Sequence, residues 1–295
     1  MGRLNVDGRV SIIIQAYNEE TIIERSIMRA CEQTYDNIEI VVANDGSTDN
    51  TSSIARRVLE SLDIPTGYTE TNGPSLYTPM GIQCPFIAGV GISTGEYIIQ
   101  VGTDDWLDSR CIEELLNNIG SAPAALPSTV LLDANMIPMP HIFPNYDFND
   151  DMYSALVDGT GDVPYVRGPM MCRKDTFYRT RSNMYGHICW EWFMQLKMYS
   201  VGDIPYVEDA IHYHLMGNKS HVADGDSVRN MRLIENGYVP SEVFLGKYDY
   251  SNMVTLNGSD FRSMYYEIVA RFGIKPPDKQ ENIQKLLWDK WTPIC

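Results

Sequence analysis

Gly102-Thr103-Asp104-Asp105 places two carboxylates side by side, directly after the apolar run Tyr97-Ile98-Ile99-Gln100-Val101. Adjacent carboxylates at the end of a buried strand repel each other unless water or a cation screens them. A hard divalent ion with oxygen ligands, Mg2+ or Mn2+, suits such a pair and leaves positions for a diphosphate. The plainer alternative is an acidic turn capping the next helix, a role that Asp108 can already fill. A second acidic loop, Asn44-Asp45-Gly46-Ser47-Thr48-Asp49, follows another apolar run. A carboxylate at Asp45 that faces an imide N–H selects uracil or thymine and also accepts from guanine N1–H. Cytosine and adenine present an acceptor there and are rejected. Capping the next helix competes for Asp45, although Ser47 or Asp49 serves that purpose equally well. His212, His214 and His221 fall within ten positions. A neutral imidazole ligates Mn2+, and Lys219 offsets phosphate charge. His214 is the first candidate, with His212 and His221 left open.

The elements that must position these groups follow from hydrophobic periodicity. Val10–Ile14 and Ile38–Val42 are short β-branched runs that break into polar loops, the pattern of buried parallel strands delivering their C-terminal ends to a ligand crevice. Thr21 to Gln33 reads as a helix, with Thr21 and Glu24 at capping-box spacing and Ile23, Ile27, Ala30 and Cys31 on one face. A second helix spans Thr51–Leu62, with Ile54, Val58 and Leu62 at intervals of four. A short extended piece at Tyr68–Thr71 runs into the turn Asn72-Gly73-Pro74. Residues 79 to 95 carry no decisive period. The apolar run from Gly95 to Val101 is a further strand, followed by a helix with Ile112, Leu115, Leu116 and Ile119 on one face. Alternating strands and helices over the first 120 residues imply an α/β fold with a mainly parallel sheet covered on both sides. From Ser121 to Val166 the chain reads as loop-rich, with Val130–Asp133 its best strand. Tyr165–Arg173 reads as a strand, Trp190–Ser200 as a helix, and Gly202–His214 as two short extended pieces. Beyond Asp224 the pattern is helical, including a helix from Ser259 to Phe272 and another at Asp278–Trp291, separated by Pro276-Pro277.

Bulk composition excludes several classes of function. The 295 residues carry 39 acidic against 23 basic side chains, a formal net charge of −16. That opposes nucleic-acid or anionic-membrane binding through a broad basic surface. The six cysteines lack CxxC pairing or regular spacing and read as reduced thiols. No apolar run approaches the ~18 residues of a membrane span, and Met1-Gly2-Arg3-Leu4-Asn5 lacks the apolar core of a signal peptide. The expected location is cytoplasmic, in solution or peripheral to a membrane.

The stretches Val10–Glu20 and Val41–Asp49 together resemble the opening of family 2 glycosyltransferases, roughly "hydrophobics-Pro-x-Tyr-Asn-x-Glu" and then "hydrophobics-Asp-Asp-Gly-Ser-Thr-Asp". Gly95-Glu96-Tyr97-Ile98, followed by Thr103-Asp104-Asp105, is similar to the family's metal and diphosphate block, with Gly102 in place of its first Asp. The family's preceding Ala-Arg-Asn is replaced at Pro85-Phe86-Ile87. Arg167 to Phe177 and Cys189 to Gly202 resemble its later blocks. There an Asp about eleven residues before a glycine is the general base; here Glu191 stands eleven before Gly202, and Trp190 replaces the family's Glu.

The resemblance covers about residues 9–222. It implies a GT-A fold over residues 1–222, a Rossmann-like sheet flanked by helices, with 223–295 as a helical C-terminal extension. It implies a metal-dependent, inverting glycosyltransferase acting by single displacement on a nucleotide-sugar, foremost a UDP-sugar, and a hydroxyl of a glycan or glycoconjugate acceptor. Ala16, Tyr17, Glu19, Asp45 and Asp104 would hold the donor, Asp105 and His214 the Mn2+ or Mg2+, and Glu191 would take the acceptor proton. Flanking Trp190 and Trp192 can raise the pKa of Glu191 by desolvation and stack on a sugar face. The rival from another class is a non-catalytic nucleotide- or glycan-binding protein, favoured by Gly102, Trp190 and the lost Ala-Arg-Asn. A sugar-phosphate nucleotidyltransferase would require a basic, Gly-rich loop where Gln15-Ala16-Tyr17-Asn18-Glu19-Glu20 is acidic.

Overall fold

A computed structural model describes residues 8–71, 84–133, 135–138, 169–179, 194, 198 and 201–215. Strand β1, Val10–Ala16, lies at the centre of its parallel half. It pairs in parallel with β2, Ile38–Asn44, and with β4, Tyr97–Gly102, while β3, Thr66–Glu70, adds in parallel outside β2. The registers bring Ala16 opposite Asn44, Gln15 opposite Gly102 and Asn44 opposite Glu70. Four strand ends are therefore level along one edge of the sheet, and every loop that follows them starts from that edge.

The other half of the sheet is mixed. β7, Met171–Arg173, lies antiparallel to β4 and also to β6, Ala124–Leu132. β8, Tyr206–Leu215, is parallel to β6, and the two-residue β5, Trp106–Leu107, closes the order antiparallel to β8. The inward alternation of Ile12, Ile14, Ile40, Val42, Ile99 and Val101 forms one core with α1 (Ile23–Ala30), α2 (Thr51–Glu60) and α4 (Cys111–Ile119). On the opposite face α3, Cys84–Ile92, packs over β1, β2 and β3. Among the described residues no helix is long and apolar enough to cross a membrane.

Most expected elements form, and the differences have identifiable causes. Helix α1 starts at Ile23, and the Thr21–Glu24 capping box does not form. The first free N–H groups, of Ile22 and Ile23, donate instead to the Glu19 carbonyl at 3.0 and 2.9 Å. Helix α3 has no amphipathic period because both of its sides meet protein. Its Phe86 ring lies edge-on to Phe177 at 5.7 Å, and the Tyr178 hydroxyl donates to the Val90 carbonyl at 3.2 Å. Both aromatic residues belong to α5, Lys174–Arg179. Strand β6 begins well before the expected Val130. Pro127 hid it, because proline lacks a ladder donor; here the register with β8 shifts between Pro127 and Ser128, so the missing donor falls at the irregularity. The two extended pieces expected over 202–214 are the single strand β8. Met194 and Met198 are helical and buried, and the rest of the helix expected over 190–200 lies outside the described residues. The turn at 72–74, the strand reading for 165–168 and the helical region 223–295 lie outside the described residues.

Glu39 on β2 is 3% exposed in an otherwise apolar strand. Its carboxylate accepts from the Ser11 hydroxyl at 2.5 Å, and from the Thr94 amide and hydroxyl at 2.7 and 2.9 Å. The Ser11 oxygen in turn accepts from the Gly95 amide at 2.9 Å. This network ties the 93–95 turn to the end of the sheet opposite the ligand edge. Glu39→Ala leaves those donors without a partner and is expected to cost about 2–3 kcal/mol, a fall of roughly 4–12 °C in unfolding midpoint for a domain of this size. Thermal unfolding of the variant measures it; an unchanged midpoint would show that water replaces the carboxylate without loss.

Candidate active site

The loops after β1 and β2 are laced together residue by residue. Asn18, at φ +55°, donates its amide to Ser47 Oγ at 2.9 Å and accepts from the Thr48 amide at 2.8 Å. The Glu19 amide donates to Thr51 Oγ1 at 2.7 Å and the Glu20 amide to Asp49 Oδ2 at 3.1 Å. Glu20 Oε2 returns the favour, accepting from the Asn50 amide at 3.0 Å. Gly46, at φ +70°, makes the tight turn expected of it. Asp49 caps the start of α2 through the Thr51 amide at 3.0 Å, whereas Ser47 donates to Asn44 Oδ1. The polar motif residues are thus largely spent on shaping two loops into one rigid rim.

Asp45 is used differently. Its amide donates to the Ala16 carbonyl at 2.8 Å, and its carboxylate accepts from Thr71 Oγ1 at 2.8 Å rather than capping α2. Asp45 is 7% exposed, and Tyr17, the residue after β1, is half-buried. Thr71 was not singled out in the sequence. The register of β3 on β2 is what brings it beside Asp45, its amide bonding the Asn44 carbonyl at 3.0 Å.

Asp104 and Asp105 follow β4 on the same edge. A Cβ at residue 102 would lie 3.1 Å from Asp104 Oδ1 and 3.2 Å from Asp105 Oδ2. Both carboxylates therefore share the space above Gly102 that a side chain would occupy. Burial pushes the Asp104 carboxyl up, and the Asp105 charge and that of Glu19 add to the effect. Asp105 behaves oppositely. Burial works to raise it, but the two imidazoles against it outweigh that and hold it well below the usual carboxylate range. His214 Nδ1 lies 2.8 Å from Asp105 Oδ1, and His212 Nε2 lies 3.4 Å from Oδ2, close but without the alignment of a good hydrogen bond. An ionised carboxylate beside a second carboxylate whose charge is disfavoured is a donor set that suits a hard cation. Among the described residues no three His, Cys, Asp or Glu groups converge into a complete metal site. Two protein carboxylates with further oxygens from a diphosphate and water match the habits of Mg2+ and Mn2+.

The supporting elements also converge here. Ser26 of α1 donates its hydroxyl to the Thr103 carbonyl. Trp106, next to Asp105, stacks on Tyr213 with ring centroids 5.2 Å apart, and the Arg29 guanidinium lies 4.2 Å from the Trp106 ring centre. Of the residues singled out in the sequence, Ala16, Tyr17, Glu19, Asp45, Asp104, Asp105 and His214 all lie at this edge. Glu191, Trp190, Trp192, Lys219 and His221 lie outside the described residues.

Comparison with known proteins agrees with this geometry. The family model for glycosyl transferase family 2 matches residues 11–142. The chain is 32% identical over 114 residues to the glycosyltransferase GlyA of Streptococcus pneumoniae, an alignment covering 39% of this chain and 15% of GlyA. It spans between 15% and 41% of the length of the first curated relatives it matches. Among solved structures, S. aureus TarS 1-349 in complex with UDP-GlcNAc superposes with a TM-score of 0.57 at 13% identity, covering 97% of this chain and 82% of that one. The mannosyltransferase PcManGT of Pyrobaculum calidifontis, in complex with GDP-Man and Mn2+, superposes with a TM-score of 0.55 at 17% identity, covering 95% and 85%. With its sheet order and level strand ends the described part of the chain has a GT-A fold, and residues 11–142 match the glycosyl transferase family 2 model.

Proposed function

We propose that the chain is an inverting glycosyltransferase that moves a sugar from a nucleotide-sugar, foremost a UDP-sugar, to a hydroxyl of a glycan or glycoconjugate. The observation that carries this reading is that Asp45 and the Asp104–Asp105 pair follow the level ends of β2 and β4, the two strands that flank β1 in one sheet. Asp45, steadied by Thr71, accepts from the imide of the base, and Tyr17 lies against it. Ala16 and Glu19 complete the rim on which the donor rests. Asp105 and His214 would hold Mn2+ or Mg2+, which when bound neutralises charge on the donor diphosphate, and Asp104 beside them completes the seat of the donor. Glu191 takes the proton of the acceptor hydroxyl as its oxygen bonds to the anomeric carbon, and the bond from that carbon to the diphosphate breaks on the opposite face, releasing the nucleoside diphosphate. On this reading the transferase unit takes in residues 1–222, with 223–295, whose sequence pattern is helical, as an extension.

A guanine nucleotide is the second reading for the donor, since guanine N1–H offers Asp45 the same bond and PcManGT was solved with GDP-Man. Thermal unfolding with UDP, GDP, dTDP and CDP, each with and without Mn2+, tests both. At a concentration of 100 times Kd the expected stabilisation is about 2.7 kcal/mol, a rise of roughly 5–10 °C. A shift with UDP that needs Mn2+ is the expected result. A shift with GDP alone would change the donor, and no shift with any nucleotide would leave a glycan-binding protein as the better reading.

A further inference from the structure

Of the histidines at this edge, His212 differs from His214 in being enclosed. It is 1% exposed, and both ring nitrogens face protein groups. Nδ1 lies 3.2 Å from Thr129 Oγ1 and Nε2 3.4 Å from Asp105 Oδ2. Thr129 and His212 are direct partners in the parallel register of β6 and β8. The segment carrying Asp105 is hung from the same place. Leu107 pairs with His212, Trp106 pairs with and stacks on Tyr213, and the Asp108 amide donates to the Ile211 carbonyl at 2.8 Å.

We propose that His212 is a positioning residue, which with Thr129 forms a relay that fixes the rotamer of Asp105 without itself touching the cation or the donor. The proposal rests on the reading of Asp105 as a metal-holding carboxylate. A carboxylate only accepts, so the His212 tautomer with its proton on Nε2 turns a donor towards Asp105, 3.4 Å away and short of hydrogen-bond alignment, while Nδ1 accepts from the Thr129 hydroxyl. His214 meets the other oxygen of Asp105, so the two imidazoles hold the carboxylate from both sides. Each carboxylate oxygen has two lone-pair sites, and one imidazole contact on each leaves a site on each oxygen for a cation. Asp104, with no such pair of partners, relies on the cation itself to offset its neighbour. Outer groups of this kind typically change metal affinity by about 10–100-fold when removed.

The test is Mn2+ affinity measured by electron paramagnetic resonance on the full chain, with nucleotide binding without metal measured in parallel. His212→Phe and Thr129→Val are expected to weaken Mn2+ binding, by about 10–100-fold for the first and less for the second. Metal-free nucleotide binding should be unchanged in both. His212→Gln retains a donor towards Asp105 and should recover most of the affinity. Thr129→Val keeps side-chain shape, so it remains informative if His212→Phe fails to fold. Asp105→Asn is the control: if it leaves Mn2+ affinity unchanged, the metal reading itself fails. If Asp105→Asn weakens binding while Thr129→Val and His212→Gln match wild type and His212→Phe does too, the relay is refuted. Equal loss of metal and metal-free nucleotide binding would mark His212 as merely structural and also overturn the proposal.

Discussion

Replacing Asp105 by Asn is expected to weaken Mn2+ binding by more than about 100-fold, beyond the range seen when only an outer partner is lost. The substitution keeps the side chain's shape and removes its charge. The structure explains why that charge has unusual weight. Asp104 beside it is pushed towards its neutral form by burial and by Asp105 itself, while Asp105 is held ionised by His212 and His214. Asp105 is thus the carboxylate of the pair whose charge the surrounding protein groups support. Metal-dependent nucleotide binding and turnover should fall together, whereas the proposed contact of Asp45 with the base should be left in place. Calorimetric titration of nucleotide with and without Mn2+ separates the two. Retention of full metal-dependent affinity would move the cation elsewhere and leave the Gly102 cradle without a role.

The second large effect is expected at Glu191. Glu191→Gln should lower kcat by about 10²–10⁴, the usual contribution of a positioned general base, with donor affinity unchanged. A loss confined to kcat is the mark of an interaction made at the transition state. Product stereochemistry, read by nuclear magnetic resonance, provides an independent check, because a retaining transferase would not require this carboxylate. An active enzyme that tolerates Glu191→Gln would have its base elsewhere. A chain that binds nucleotide but turns over no donor, with Glu191 intact, would favour the binding-module reading.

Some features were open to reading from local pattern. β1, β2 and β4 follow from β-branched runs that are near-continuous because both faces of the sheet are covered, and α1, α2 and α4 from i, i+4 apolar faces, because each helix meets the core from one side. The acidic loops stood out because Asp45, Asp104 and Asp105 end apolar runs, where a strand has no structural need of a carboxylate. Other features eluded pattern for physical reasons. α3 is apolar all round because it lies between the sheet and α5, so no period marks it. Pro127 concealed β6 because a local rule about missing donors cannot foresee a register shift that absorbs the defect.

The α/β alternation, the family resemblance and the shortlist of charged groups are properties of neighbours along the chain and are legible there. Tertiary structure decided which of those groups meet. Parallel registers, set by packing on both faces of the sheet, made the ends of β1, β2, β3 and β4 level and brought Thr71 to Asp45. Pairing of β5 and β6 with β8 joined Asp105, His212 and Thr129, residues 105, 212 and 129 in the chain, into one contact line. Contacts across such separations depend on register, and register is a collective outcome of core packing that no short stretch of sequence encodes.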